Sequence, residues 1–223
     1  MKRFLALASL CIVWFSSDLS AAVVTGKVMF ANKRGRPVAN ETLVWLDLAP
    51  GARVAKRPAS AFTVTTRGKT ILPHVVAVPA GSTISFPNED PIAHNLFSLT
   101  QGNTFDLGLY RKGPGKSQKF ETPGVVNVYC NVHPNMSAVV HVMSAPYYGF
   151  ADANGNYSFD VPPGKYVVNA WNEQAGSVAA PIEVRNDAAP QGLPLLTIDG
   201  RNFRATTAHT NKHGQPYRAP REY

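Results

Sequence analysis

Apolar residues along this chain seldom recur every three or four positions; they alternate with polar ones or gather in short runs. β-Branched and aromatic side chains at every second position suit a pleated surface with one buried face. On that pattern strands are predicted at 23–30, 42–48, 62–66, 75–78, 83–86, 125–129, 138–143, 157–161, 166–171 and 182–184. Gly, Pro, Asn and Asp separate them, the punctuation of β-sandwiches. Gly113-Pro114-Gly115 and Asn154-Gly155-Asn156 carry the residue types that hairpin turns use. The fold class is all-β. Residues 49–60, rich in Ala, Pro and Arg, read as a linker or surface crossing. Beyond 185 the chain turns to Ala, Pro, Gly and polar residues, so 186–223 is expected to be a loosely ordered tail.

The N-terminus changes the picture. Lys2 and Arg3 precede an apolar run at 4–15, followed by the small residues Ser20-Ala21-Ala22. That order predicts a secretory signal peptide over 1–22, cut after Ala22 or, as the alternative, after Ala21. The apolar run falls well short of the roughly 20 residues a membrane span needs. The mature protein is therefore expected in the periplasm, without a stable membrane span. Loss of Lys2, Arg3 and Asp18 takes the net charge from +8 to +7, over 201 of the 223 residues. The positive charges are scattered, with no arginine-rich stripe, and nucleic acid is not an expected partner. Cys11 leaves with the leader, which makes Cys130 the single remaining thiol. An oxidising compartment favours paired cysteines, so a lone one needs a reason: metal ligation, nucleophilic chemistry, an intermolecular disulfide or burial.

Cys130, His133 and Met136 form C-x-x-H-x-x-M between two predicted strands, and His94 follows strand 83–86 through a proline-rich turn. A thiolate, two imidazoles and a thioether are the donors of a trigonal blue-copper site with a weak axial methionine. Other readings use the same residues. The thiol and Met136 could simply be core. A Cys/His pair could activate a nucleophile, yet no third orienting residue or oxyanion turn is visible, so an enzyme is not expected. Zinc could take these donors, but methionine serves it poorly. One copper ion accounts for the whole set.

At these residues the segment 61–144 resembles a cupredoxin, a Greek-key β-sandwich, and its YCNVHPNM loop is most similar to amicyanin-type proteins. The run FPNEDPIAHNLFSL through FDLGLYRKG to VYCNVHPNMSA resembles bacterial cupredoxins called methylamine-utilisation-like, a label that implies electron transfer without fixing methylamine as substrate. The resemblance implies His94, Cys130, His133 and Met136 as copper ligands. It implies Asn95 as the residue whose side chain ties the first-ligand strand to the cysteine loop.

The flanks carry a second pattern. VTGKV with GRPVANETLVWL, and GFADANGNYSFDVPPGKYVVNAW, resemble a carboxypeptidase-regulatory-like, transthyretin-type β-sandwich. The copper module would then be inserted between 23–48 and 147–185; a single cupredoxin with extra edge strands is the alternative. His141 is expected to be packed or surface-facing, and His74, His209 and His213 solvated. The stretch from Asp152 to Tyr157 looks like a short calcium loop but lacks the ligands of a complete one, so a hairpin turn is expected. Arg111, Lys112, Lys116 and Lys119 cluster near one turn, as a solvated face or a dock for an acidic redox partner. The function these residues imply is an exported type 1 copper protein that passes electrons to or from a redox protein partner. Its rivals are copper delivery without redox turnover and a non-redox binding module.

Overall fold

In STISFPN, side chains at 82, 84, 86 and 88 are buried and those between them are not, the period of two that a strand over a core imposes. The computed structural model describes residues 21–31, 41–51, 55–186, 189–201 and 209–217. Residues 1–20 of the expected leader and the GRPVAN motif lie outside these residues. Among the described residues eighteen strands follow in chain order. They are β1 Ala22–Ala31, β2 Leu43–Leu48, β3 Ala61–Thr63, β4 Thr65–Arg67, β5 Thr70–Leu72 and β6 Val75–Pro79. Next come β7 Ser82–Asn88, β8 Leu96–Ser98, β9 Phe105–Asp106, β10 Gly113–Phe120, β11 Gly124–Cys130 and β12 Ser137–Met143. The last six are β13 Tyr147–Phe150, β14 Asn156–Val161, β15 Gly164–Asn172, β16 Gly176–Val184, β17 Gln191–Gly192 and β18 Leu196–Asp199.

Two five-stranded sheets form the middle of the chain, one ordered β10-β7-β4-β5 with β3 also on β7, the other β6-β12-β11-β8-β9. They close on one core, in which Ile84, Phe86 and Phe120 of the first sheet meet Val126, Val128 and Val140 of the second. Two four-stranded sheets hold the flanks, β14-β1-β17 with β18 also on β1, and β13-β2-β15-β16. A second core lies between them, from Val24, Phe30 and Ile198 on one side to Leu46, Val168 and Val184 on the other. The chain leaves this second body after Leu48 and re-enters at Tyr147, whose strand partner is Leu46. The two ends of the intervening segment are therefore neighbours in one sheet, the geometry in which a long insertion is tolerated.

Several elements differ from their sequence pattern. GPGKSQKF, expected to begin with a turn, is β10, an edge strand paired only with β7 and bulged between Gly113 and Lys116. An edge and a bulge are where a sheet accepts Pro and Gly. Gly115, with φ of +71°, could carry no side chain: its Cβ would lie 1.8 Å from the Phe86 carbonyl oxygen. The expectation of a loose tail from 186 onward is corrected in part. Residues 191–192 and 196–199 pair in parallel with β1, and Leu196 and Ile198 enter the second core. These strands are too short and too proline-flanked to stand out as a pattern; pairing with β1 and burial of Leu196 and Ile198 in the second core hold them. Strand β1 starts at Ala22, which is buried and opposite Val161, so a cut after Ala21 would keep the strand whole.

The two bodies meet through an apolar joint of Leu43, Ala77, Met143, Ala145 and Tyr148, with Trp45 and Trp171 packed against it. His141 is buried there, its ring 4.2 Å from that of Trp171, and burial pushes its pKa down to about 4. His74 adds a polar link: Nδ1 meets the Ser137 carbonyl at 3.0 Å and Nε2 meets Glu173 at 2.6 Å. The apolar cluster dominates this joint. Each large side chain it buries contributes about 1.5–3 kcal/mol, whereas a partly exposed ion pair contributes about 1 kcal/mol at most.

Two outcomes follow for stability. Replacing residues 49–146 by a short turn between β2 and β13 should leave a folded β-protein with dispersed amide NMR signals, of lower stability because the joint is uncovered. A collapsed spectrum would show that the flanks form no core of their own. The His74–Glu173 pair should make stability depend on pH. Its hydrogen bond to Glu173 raises the His74 pKa above 6.5, a contribution complete below 6.5 and lost as pH rises through the folded value. The same bond lowers the Glu173 pKa below 4.5, a contribution complete above 4.5 and lost on acidification through the folded value. The urea midpoint should thus be higher near pH 5.5 than near pH 8, and Glu173→Gln should reduce that difference. An unchanged difference in the variant would remove the pair from the joint.

Candidate metal centre

The site is built where the end of β11 approaches the start of β8. Tyr129 and Ser137 are the last paired residues of β11 and β12, and the intervening loop closes on itself. The Cys130 amide donates to the Met136 carbonyl at 3.0 Å, and the Met136 amide donates to that of His133 at 3.2 Å. Pro134 restricts the backbone beside His133. His94 sits across from the loop, held to Tyr110 by a two-way pair of main-chain bonds at 2.9 and 3.0 Å.

Three donor atoms converge. His94 Nδ1 and His133 Nδ1 are 3.2 Å apart, and Cys130 Sγ lies 3.8 Å from the first and 3.5 Å from the second. Among the described residues this is the one such group of His, Cys and acidic side chains. Cys130, His94 and Met136 are buried, and His133 is partly exposed. Cys130 and Met136 belong to the apolar core of the middle segment.

A residue outside the predicted set fixes the orientation of His94. The Asp90 carboxylate lies 2.8 Å from His94 Nε2. An ionised carboxylate only accepts hydrogen bonds, so Nε2 carries the proton and Nδ1 presents its lone pair to Cys130 and His133. Asp90 is itself anchored by the amides of Gly68 at 2.5 Å and Lys69 at 2.9 Å. Burial opposes its ionisation, but those amides and His94 outweigh it and hold the carboxyl below its ordinary value. Burial pushes the His133 pKa down, helped by His94 and Lys69, which keeps that ring neutral. The one signal of Asp90 in the sequence is its place four residues before His94 in a proline-containing turn.

The geometry fits a metal ion. Bonds of about 2.0 Å to nitrogen and about 2.3 Å to sulfur, in a plane at 120°, put two nitrogens about 3.5 Å apart and nitrogen and sulfur about 3.7 Å apart. The observed triangle has these dimensions to within a few tenths of an ångström. A thiolate sealed in an apolar wall would need a cation to offset its charge, and one nitrogen of each ring faces the Cys130 sulfur. The donors are soft sulfur and imidazole, which copper accepts in both of its common oxidation states.

His94, Cys130 and His133 come together as their spacing suggested, and the Met136 side chain is buried in the same core. Asn95 differs in detail. Its main-chain carbonyl accepts from the Asn131 amide at 2.8 Å, making the tie to the cysteine loop, while its side chain donates to Asp106 at 2.5 Å. His209, expected to be solvated, stacks on Tyr129 with ring centres 4.4 Å apart; His213 is exposed. The Asp152 side chain accepts from the amides of Asn154 and Asn156, both at 2.8 Å, which is the chemistry of a turn. Arg111, Lys112, Lys116 and Lys119 are all exposed, with Lys116 bonded to the Leu107 carbonyl and Lys119 paired with Glu121.

No protein-family model matches the chain. No curated protein matches it either. Among solved structures, an oxidised amicyanin variant aligns at 20% identity over 37% of this chain and 82% of its own, with a TM-score of 0.35. A purple cupredoxin from Nitrosopumilus maritimus aligns at 23% identity over 36% of this chain and 98% of its own, at 0.31. A copper-containing nitrite reductase from Thermus scotoductus SA-01 aligns at 26% identity over 44% of this chain and 25% of its own, at 0.36. Likeness at these scores is weak, and the site stands on its own geometry.

Asp90→Asn should weaken metal binding by about 10- to 100-fold, because a neutral amide holds the His94 tautomer less firmly. Isothermal titration against the wild type checks this. Equal affinity would mean that main-chain bonds to Tyr110 suffice to orient the ring.

Proposed function

We propose that this protein is an exported type 1 copper protein that carries single electrons between redox partners. The observation that supports it most is the triangle of His94 Nδ1, His133 Nδ1 and Cys130 Sγ, with His94 locked by Asp90. Bound copper supplies a one-electron couple between Cu(I) and Cu(II). Cys130 would provide the thiolate, His94 and His133 the imidazoles, and Met136 a weakly binding thioether from the same short loop. The apolar wall around Cys130 and Met136 keeps water out. The fixed loop and the Asp90 anchor hold the ligands in place, so that little must rearrange when charge changes.

His133 is the ligand that reaches the surface, and electrons enter or leave by its ring edge. The exposed Arg111 and Lys112 directly follow Tyr110, the residue bonded to His94, and suit an acidic partner docking beside the site. On this reading the middle segment is a cupredoxin of the amicyanin-like kind. The flanking body is the transthyretin-type sandwich its motifs resemble, and the periplasm is the place of work. No reaction is assigned to the protein itself.

The mature protein should bind one copper per chain and show an intense visible band that disappears on reduction and returns on reoxidation. Cys130→Ser should abolish the band, since an oxygen donor replaces the thiolate. Met136→Leu should keep the metal and shift the potential, because the axial bond is weak. Absorption spectra and copper analysis over repeated cycles check this. A colourless Cu(II) complex would remove the type 1 assignment. Loss of copper at the reduction step would favour delivery over electron transfer.

A further inference from the structure

The C-terminal stretch 209–217 lies far from the copper-binding motif in sequence, yet it returns to it. Lys212 bridges both walls of the pocket. Its amide donates to Asn131 Oδ1 at 3.0 Å, and its Nζ donates to Asp106 Oδ2 at 2.6 Å. Asp106 Oδ1 in turn accepts from Asn95 Nδ2 at 2.5 Å. Asn131 directly follows Cys130 and Asn95 directly follows His94, so one lysine connects the two segments that carry the ligands. Burial works against an ionised Asp106, but Lys212, Asn95 and the Gly108 amide bring its pKa down to about 2. The pairing thus persists across the physiological range.

Three further contacts act on the loop itself. Tyr217 Oη donates to the Cys130 carbonyl at 2.6 Å. The His209 amide donates to the Pro134 carbonyl at 3.1 Å. The His209 ring lies 4.4 Å from that of Tyr129, the residue before Cys130, at an interplanar angle of 24°.

We propose that residues 209–217 are a clamp that holds the Cys130–Met136 loop against the His94 segment, with Lys212 and Tyr217 as its positioning residues. This rests on reading the pocket as a metal centre. A short loop that supplies three of four donors releases a metal by opening locally, and such openings cost less than global unfolding. Each clamp bond must break for the loop to swing away from His94. The body with its own core thereby contributes more than a scaffold: its C-terminal continuation closes the site of the inserted segment.

The test uses the full chain in two states. In metal-free protein, the rate at which iodoacetamide alkylates buried Cys130 under native conditions reports local opening. In copper-loaded protein, transfer to an excess chelator reports metal release. Loss of one net hydrogen bond corresponds to about a fivefold rise in opening. Tyr217→Phe and Lys212→Met should each accelerate alkylation by about that factor, and the double variant by more than about tenfold. Lys212→Arg, which keeps the charge beside Asp106, should restore most of the protection, and Gln215→Ala, an exposed change in the same segment, should do nothing. Chelator transfer should follow the same order. Amide exchange at Val24 and Val168, inside the second core, should stay as in the wild type. Acceleration there by the same factor would mean global destabilisation and count against a clamp. Unchanged alkylation in the double variant would overturn the proposal. If the wild type takes up no copper while the alkylation rates still separate as stated, the metal reading fails and the clamp stands.

Discussion

A thiol and two imidazoles within 4 Å of one another, in an apolar wall, is an arrangement that resists being made. Each group prefers water or a hydrogen-bond partner of its own, and burying them together without a cation is costly. The rest of the structure answers that constraint. Asp90 occupies the outer nitrogen of His94, so that only one lone pair faces inward. Main-chain bonds between Cys130 and Met136 and between His133 and Met136 fold the loop into one shape. The carbonyl of Asn95 and the amide of Asn131 join the two ligand segments at the nearest point outside the donors themselves. A pocket so prepared changes little when it binds a metal or when the metal changes charge.

That rigidity has supports beyond the middle sandwich. Asp90 is held by amides in the turn between β4 and β5, while the loop it serves indirectly belongs to the opposite sheet. Both sheets must therefore keep their mutual placement, which the shared core around Phe86, Phe120 and Val128 provides. The flanking body adds a joint on the far end of β12 and a segment that lies across the ligand loop. An inserted unit is usually independent of its host, because the two points of connection can be close together. Here the C-terminal continuation of the flanking body reaches the middle segment a third time, beside Cys130 and Asn95.

The all-β class and most strands were legible from alternation, since a half-buried strand writes its geometry at every second residue. C-x-x-H-x-x-M was legible because a single loop carries all three residues and so keeps them at short, regular spacing. His94 was within reach as well, through the proline-rich turn that sets it apart from its strand. The edge strand β10 was hidden by Gly113, Pro114 and Gly115, whose local preference is a turn; pairing with β7 overrides it. Strands β17 and β18 were hidden because they are two and four residues long and follow Pro190 and Pro194 closely, too short for alternation to register.

The sequence by itself determined the chemistry on offer: the Cys130 thiol, its spacing to His133 and Met136, and the apolar periods that build two cores. Tertiary structure alone decided the hydrogen bonds that make those donors a site. Asn95 toward Asp106 rather than the cysteine loop, and Lys212 and Tyr217 across the loop, are pairings between residues 11 to 106 positions apart. A side chain's partner at such separation depends on how sheets twist and where chains cross, and no local pattern of residues carries that information. The same folding turned His209 from an expected solvated residue into one stacked on Tyr129, because its ring completes a surface that exists only once the sheets have assembled.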